Sequence, residues 1–507
     1  MKHHLVCCLT LCSLLLCACG RSDTGAPQAT TAPATSAGIE WFEGGVSEAF
    51  ALAKERDQPL FLYWGAVWCP PCNQLRSTVF RDPAFVEMTR AFVAVYLDGD
   101  SEGAQRWGEH FGAAGYPTLI VFGPQGEERT RLTSGMALER YPQALQAALE
   151  QNESIAAVLA RGLEEPQSLT DDHWQLLART AWDADDGRLL GQEDRANTLS
   201  TLAQHCPATS QPHCRRLKLL SSIASLDQES PPTTIENLQQ ILADPQLTHD
   251  NLSELQYHAV ELSRSAPADV RAILYARLQT LAERSFADTR LPLKARMLGT
   301  RLHMDLRRDE NGQLPQDDAD LQALVRARAA WADEAATTPA ERQSLIYNAA
   351  WYLHEVGLSD AAVELLQAEL GNAVAPYYYM SYLASIEKAR NNATRALGWS
   401  ARAWQLATGP ATRTQWGTQH VLNLIELAPD QIDTIETVAN QLLDGVAQSQ
   451  DGYYQRTRTR MQRLHDTLAQ WSQDKPKREA AASRLRQRIA ALCAQSATDC
   501  SALTGAQ

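Results

Sequence analysis

Cys69-Pro70-Pro71-Cys72 is the part of this 507-residue chain whose residue types and spacing point most directly to chemistry. A CxxC by itself serves redox, zinc or structural roles, and its setting separates them. Pro59-Leu60-Phe61-Leu62-Tyr63-Trp64 is a continuous apolar run of buried-strand length, and a helical stretch follows the motif. The first cysteine then stands beside the unpaired N–H groups at the positive end of a helix, where a thiolate is stabilised and the thiol pKa falls below its free value of about 8.5. Pro70 and Pro71 suit a first helical turn, where their missing N–H groups matter little. Cys69 is the expected nucleophile, facing solvent. Cys72, one turn on, is the expected resolving thiol, and Trp68 is expected to shield one side. A zinc site would want a second Cys or His pair nearby, and none stands there, so redox chemistry is favoured.

Such a motif needs a sheet and helices to hold it, and residues 39–150 alternate accordingly. Val46 to Arg56 reads as helix, Phe92 to Leu97 as a second buried strand, and Ser101 to Phe111 as helix. Thr118 to Phe122 leads through Gly123-Pro124-Gln125-Gly126 into a hairpin, and Ala137 to Leu149 closes the unit as an amphipathic helix. The expectation is an α/β domain.

These residues carry a resemblance. Trp64-Gly65-Ala66-Val67-Trp68-Cys69-Pro70-Pro71-Cys72 resembles the active site of the thioredoxin superfamily, and Gly115-Tyr116-Pro117-Thr118 is similar to its cis-proline loop. Thr78-Val79-Phe80-Arg81-Asp82-Pro83, Gly126-Glu127-Glu128 and Gly135 bring it nearest to the C-terminal domain of DsbD-type thiol–disulfide interchange proteins. The resemblance covers about a fifth of the chain. It implies a thioredoxin-like fold, a redox disulfide between Cys69 and Cys72, and a client-docking loop in which Pro117 packs against the CxxC and the Tyr116 backbone pairs with the client. It implies a thiol–disulfide oxidoreductase, reduction slightly favoured, acting on thiol or disulfide client proteins and served by a membrane electron donor or acceptor. No cofactor and no metal are implied. One position departs from the family. The buried aspartate expected six residues before the first cysteine is Tyr63, which leaves Cys72 without an evident base. Arg76 on the same helix can bias a thiolate but cannot accept its proton.

Residues 151–507 differ in kind. Half of the glycines, 14 of 27, fall in the first 150 residues, and beyond them strand-like runs vanish. Apolar residues recur at helical spacing, as in Leu252, Leu255, Ala259 and Leu262. The expectation is a large all-α domain of helix pairs. Tyr347 to Leu353, Gly357 and Ala362, with Tyr382-Leu383-Ala384 and Ala396, give one 34-residue interval that resembles tetratricopeptide repeats; a non-repetitive helical domain stays open beside it. If the region is a solenoid, its concave face is a surface for a partner protein. Tyr377-Tyr378-Tyr379 and Trp351-Tyr352 read as helix-packing residues.

The N-terminus reads as an address. Lys2 precedes the apolar stretch Leu5 to Leu16, which is of signal-peptide length and too short to span a bilayer. Leu16-Cys17-Ala18-Cys19-Gly20 resembles a bacterial lipobox, which makes 1–18 a lipoprotein signal peptide and Cys19 the lipidated first residue. An ordinary cleaved signal is the alternative. Residues 19–38 lack large apolar side chains and read as a flexible tether. The expected location is the periplasmic side of a bacterial membrane, the outer membrane somewhat favoured because Gly20 stands where aspartate would signal inner-membrane retention. In an oxidising compartment the remaining cysteines pair, and Cys206–Cys214 and Cys493–Cys500 are expected structural disulfides. His205-Cys206 with His213-Cys214 leaves a zinc cluster as the less favoured reading.

The formal net charge of −14 argues against a general nucleic-acid binder, because nothing supplies a broad basic surface for phosphates. Arg456, Arg458, Arg460 and Arg463 form the nearest thing to a basic stripe, expected to scatter over more than one helix face and to be solvated. A helical scaffold or binding lipoprotein with an ancillary redox domain is the alternative to the enzyme.

Overall fold

The β1 strand, Leu60–Gly65, is apolar on both faces and sits inside a four-stranded sheet of order β2-β1-β3-β4. β2, Val93–Asp98, runs parallel to it with Leu60 opposite Val93, and β3, Thr118–Phe122, runs antiparallel with Leu60 opposite Phe122. β4, Glu128–Leu132, completes the hairpin with β3. The structure is a computed structural model and describes residues 38–132, 134–190, 195–226, 233–496 and 500. The expected signal peptide, lipidation residue Cys19 and nearly all of the tether lie outside the described residues.

Alternation along β1 divides the core of this α/β part. Leu60, Leu62 and Trp64 face helices α1, Val46–Arg56, and α4, Ala104–His110. Phe61 and Tyr63 face the opposite layer, made by α2, Pro70–Ser77, α3, Pro83–Thr89, and α5, Arg140–Glu150. Asp82 caps α3 by accepting the Phe85 amide at 2.9 Å, and Pro83 follows at the first helical position. The final helix starts at Arg140, three residues later than the sequence suggests.

From Ile155–Glu164 to Pro476–Ala494 the described chain is helical. The 34-residue interval has a structural counterpart in two successive hairpins, Pro339–Glu355 with Ser359–Glu369 and Pro376–Ala389 with Ala393–Leu406. Ala362 and Ala396 are fully buried where the paired helices approach. The turns are equivalent too, since Gly357 (φ 84°) and Asn391 (φ 58°) both take the left-handed conformation that ends the first helix of each pair. No described helix is long and apolar enough to cross a membrane.

The two parts share buried surface, and from Gly38 onward the chain forms one compact unit. The core around Phe61, Tyr63 and Leu75 continues into Tyr377, Met380, Ala403 and Trp416 of the helical part. A buried cation makes a second joint. Arg131 of β4 is fully buried, pairs with Glu128 at 2.6 Å and donates to the carbonyls of Gly112 (2.8 Å), Ala184 (2.9 Å) and Phe111. Ala184 lies beyond α5, so one guanidinium binds hairpin, α4 loop and helical part together. A buried charge tolerates such a place only when its donors are all met.

Candidate functional site

Cys69 occupies the N-cap of α2, and its Sγ accepts the Cys72 backbone N–H at 3.2 Å. The apolar β1 strand runs straight into this turn, and the two prolines leave the first free amide of the helix for the sulfur. Asn73 locks the turn by donating to the carbonyls of Val67 (2.7 Å) and Cys69 (3.0 Å). Cys69 and Cys72 are joined as a disulfide, with Cα atoms 5.2 Å apart. Once reduced, Cys69 keeps its amide donor and the positive end of the helix, which favour the thiolate.

Tyr63 lies in the layer beneath α2. Burial pushes its phenol up to about 12, opposed by the charge of Arg76, whose Nη2 donates to the Tyr96 hydroxyl at 2.5 Å. A phenol held there stays protonated at neutral pH and takes no proton from Cys72.

The loop opposite contains the Tyr116–Pro117 peptide, which is cis. Gln105 donates to the Tyr116 hydroxyl at 2.7 Å, and the rings of Trp68 and Tyr116 stand 5.8 Å apart. Trp68, Tyr116 and the cysteine pair thus form one locality.

That locality is roofed. Cys69 is 2% exposed and Cys72 0%, so the expectation that the first sulfur faces solvent is corrected. The physical reason is that the helical part packs its own aromatic and polar groups onto the motif. Tyr378 stacks on Trp68 with ring centroids 5.6 Å apart, and Trp416 meets it edge-on. The Trp68 indole N–H donates to Thr412 Oγ1 at 2.8 Å. Thr412 in turn donates its hydroxyl to Asp100 Oδ2 (2.5 Å) and its backbone N–H to Asp100 Oδ1 (2.7 Å). Gln343 donates to the Trp68 carbonyl at 3.2 Å and accepts from the Ala375 amide at 3.2 Å. Burial raises the Asp100 carboxyl above its ordinary value, against the hydrogen bonds from Thr412 that lower it.

Arg456 completes the roof, with its guanidinium 5.4 Å from the Trp68 ring centre and 4.8 Å from that of Tyr116. It donates to Gln415 at 2.9 Å, a neutral partner, and no carboxylate pairs with it among the described residues. The four arginines do spread over more than one face, as expected, but Arg456 and Arg460 are half-buried rather than solvated. On the Gln455–Ser472 helix, residues 456, 460 and 463 follow one another at three- and four-residue spacing, which places them on one face, and Arg458 turns aside to pair with Glu109 at 3.0 Å. Burial and the neighbouring charges of Arg456 and Arg463 bring Arg460 down to about 10.

Thr412, Gln343, Asp100 and Asn73 carried no signal in the sequence, being ordinary polar residues whose partners lie far along the chain or in the turn itself. Tyr378 was visible only as part of an aromatic run. The remaining cysteines sit apart from the roofed motif. Cys206 and Cys214 are bonded across a turn between two helices, and Cys493, in the last turn of the Pro476–Ala494 helix, is bonded to Cys500 beyond it. His205 contacts the Gly162 carbonyl and His213 faces Asp171. Among the described residues no group of three or more His, Cys, Asp or Glu is placed to hold a metal.

Fold and site together define a thioredoxin-like domain with a thiol–disulfide oxidoreductase centre at Cys69 and Cys72. Residues 46–149 match the model of the thioredoxin-like domain family. Among solved structures, a DsbH oxidoreductase is similar at 18% identity, over 25% of this chain and 96% of that one, with a TM-score of 0.22. A search of curated proteins gives no match.

Proposed function

We propose that this protein is a lipid-anchored, periplasmic thiol–disulfide oxidoreductase that exchanges disulfides with exported proteins, reduction favoured over oxidation. The observation that carries the reading is the Cys69 sulfur at the N-cap of α2, held against the Cys72 amide. In the reductive direction the Cys69 thiolate attacks a client disulfide, forming a mixed disulfide and releasing one client thiolate. The Cys72 thiolate then attacks Cys69 Sγ, releasing the second client sulfur and leaving the Cys69–Cys72 disulfide with two electrons transferred. A membrane electron donor resets the site; an acceptor serves the reverse direction. Trp68, Tyr116 and Pro117 form the client-facing surround. Lys2, Leu5 to Leu16 and Cys19 support export and anchoring through lipid, with the outer membrane favoured by Gly20. Three bonded cysteine pairs accord with an oxidising compartment.

The burial of both sulfurs favours keeping a second reading, a helical binding lipoprotein in which the redox pair is ancillary. Catalysed reduction of insulin by dithiothreitol with the whole protein separates them. Brisk turnover supports the enzyme. Silence, with a Cys69 thiol that stays unreactive after reduction, supports the scaffold.

A further inference from the structure

A cavity of about 810 Å³ lies where the redox helix meets the helical part, on a side that the roof over Trp68 does not use. Pro71 and Gln74 of α2 line it together with Tyr257 on the Leu252–Ser263 helix and Lys294 on the Leu293–Asp305 helix. The volume is within the usual range for small-ligand sites, roughly 300–1,000 Å³.

Its polar groups are unequally satisfied. Among the carboxylates of the lining, Glu139 meets His249 at 2.6 Å, Asp288 meets Arg290 at 2.7 Å and Glu254 meets Arg216 at 2.7 Å; Asp183 is exposed. Lys294 has no hydrogen-bond or ion-pair partner among the described residues, and burial brings its amine down to about 8, with no carboxylate offsetting it. Lys294 is half-buried and borders the cavity. Gln256 donates to the Ala295 carbonyl at 2.9 Å, and its Oε1, buried in the same lining, has no partner. A half-buried cation without a counter-charge and a buried acceptor without a partner are both costly, and a ligand that supplies an anion and a donor removes both penalties.

We propose that this cavity binds a carboxylate-bearing ligand beside the redox helix, with the Lys294 ammonium pairing to the carboxylate and the Gln256 amide oxygen accepting a ligand N–H or O–H. The carboxylate has two sources, a free organic acid or an acidic residue of a client peptide lying along α2. The site stands apart from the electron transfer, so binding is measurable whether or not the redox reading holds.

The test is calorimetric titration of the whole oxidised protein with glutarate, with an N-acetylated, C-amidated hexapeptide carrying one glutamate, and with its glutamine counterpart. Saturable binding of glutarate or of the glutamate peptide, but not of the glutamine peptide, is expected, and which of the two binds identifies the source. Lys294→Gln should weaken that binding at least about tenfold, and Lys294→Arg should largely restore it. Should the glutamine variant fold poorly, acetic anhydride labelling of the wild-type protein gives an independent readout, since a bound probe should protect Lys294 in peptide mass spectra. Absence of binding by both acids, equal binding by the glutamine peptide, or undiminished labelling in their presence overturns the proposal.

Discussion

The indole of Trp68, the residue before the redox cysteine, donates a 2.8 Å hydrogen bond to the hydroxyl of Thr412, 344 positions along the chain. This bond and the Asp100 contacts behind it join the helical part to the CPPC motif, so their release is expected to open access to Cys69. Thr412→Val leaves the indole N–H without its acceptor and Asp100 Oδ2 without the hydroxyl, while the backbone N–H at 412 still reaches Asp100 Oδ1; the closed arrangement should weaken by about 1–3 kcal/mol. Reduction of the Cys69–Cys72 disulfide by a phosphine should therefore be faster in the variant, with an unchanged circular dichroism spectrum. Unchanged reduction kinetics would show that this bond does not govern access.

Asp100 gives the closure a pH dependence. Its folded pKa is raised above the ordinary 3.8, so the folded site binds a proton more tightly than the unfolded chain does. The associated stability is present at low pH and is lost as pH rises from 3.8 through the raised value. Burial raises Asp451, which accepts the Gln105 amide at the same junction, in the same direction. Disulfide accessibility to the phosphine should increase across that window, and Asp100→Asn should flatten the profile. A profile that Asn leaves unaltered would assign the effect elsewhere.

Arg456, with no carboxylate paired to it among the described residues, places its charge over Trp68 and Tyr116, and that charge favours the Cys69 thiolate. In Arg456→Gln the pKa of reduced Cys69 should rise by about 0.3–1 unit, read from the pH dependence of iodoacetamide alkylation. Arg456→Lys should lie between the two. A structural role alone would change accessibility at every pH without moving the midpoint.

The two cysteines should respond differently to substitution. Cys72→Ser keeps the attacking sulfur at the N-cap and removes the group that releases it, so mixed disulfides with clients should accumulate. Cys69→Ser should trap little. Non-reducing gels followed by mass spectrometry measure both, and adding Thr412→Val to Cys72→Ser should raise the yield. Equal trapping by both single variants would overturn the assigned roles.

Arg131 tests how the two parts are joined. Arg131→Met takes the buried cation from Glu128 and from the Phe111, Gly112 and Ala184 carbonyls, of which Gly112 keeps the Asp186 N–H and Ala184 the Ala114 N–H, a loss of about 3–5 kcal/mol by the usual behaviour of broken buried ion pairs. Denaturant unfolding should show that drop. A loss below 1 kcal/mol would mean that the Arg188–Glu128 pair, at 3.0 Å, compensates.

The sequence by itself determined the elements around the motif and the chemistry of the motif. An apolar β1, a CxxC with prolines at the first helical positions and a β3–β4 hairpin are local patterns, and local hydrogen bonding and burial of a sheet suffice to produce them. Helix periodicity after residue 150 and the 34-residue interval of Ala362 and Ala396 were legible for the same reason. The tertiary structure alone decided that the motif is roofed. Thr412, Gln343 and Arg456 reach Trp68 only because helical hairpins pack back onto α2, and contacts across hundreds of residues leave no periodicity in one sequence. Arg456 looked like a solvated residue because charge favours the surface, and only its place over two aromatic rings, with a neutral glutamine as partner, gave it a different role. Lys294 is the same lesson in a cavity: nothing in its neighbours along the chain says that its ammonium has no carboxylate to meet.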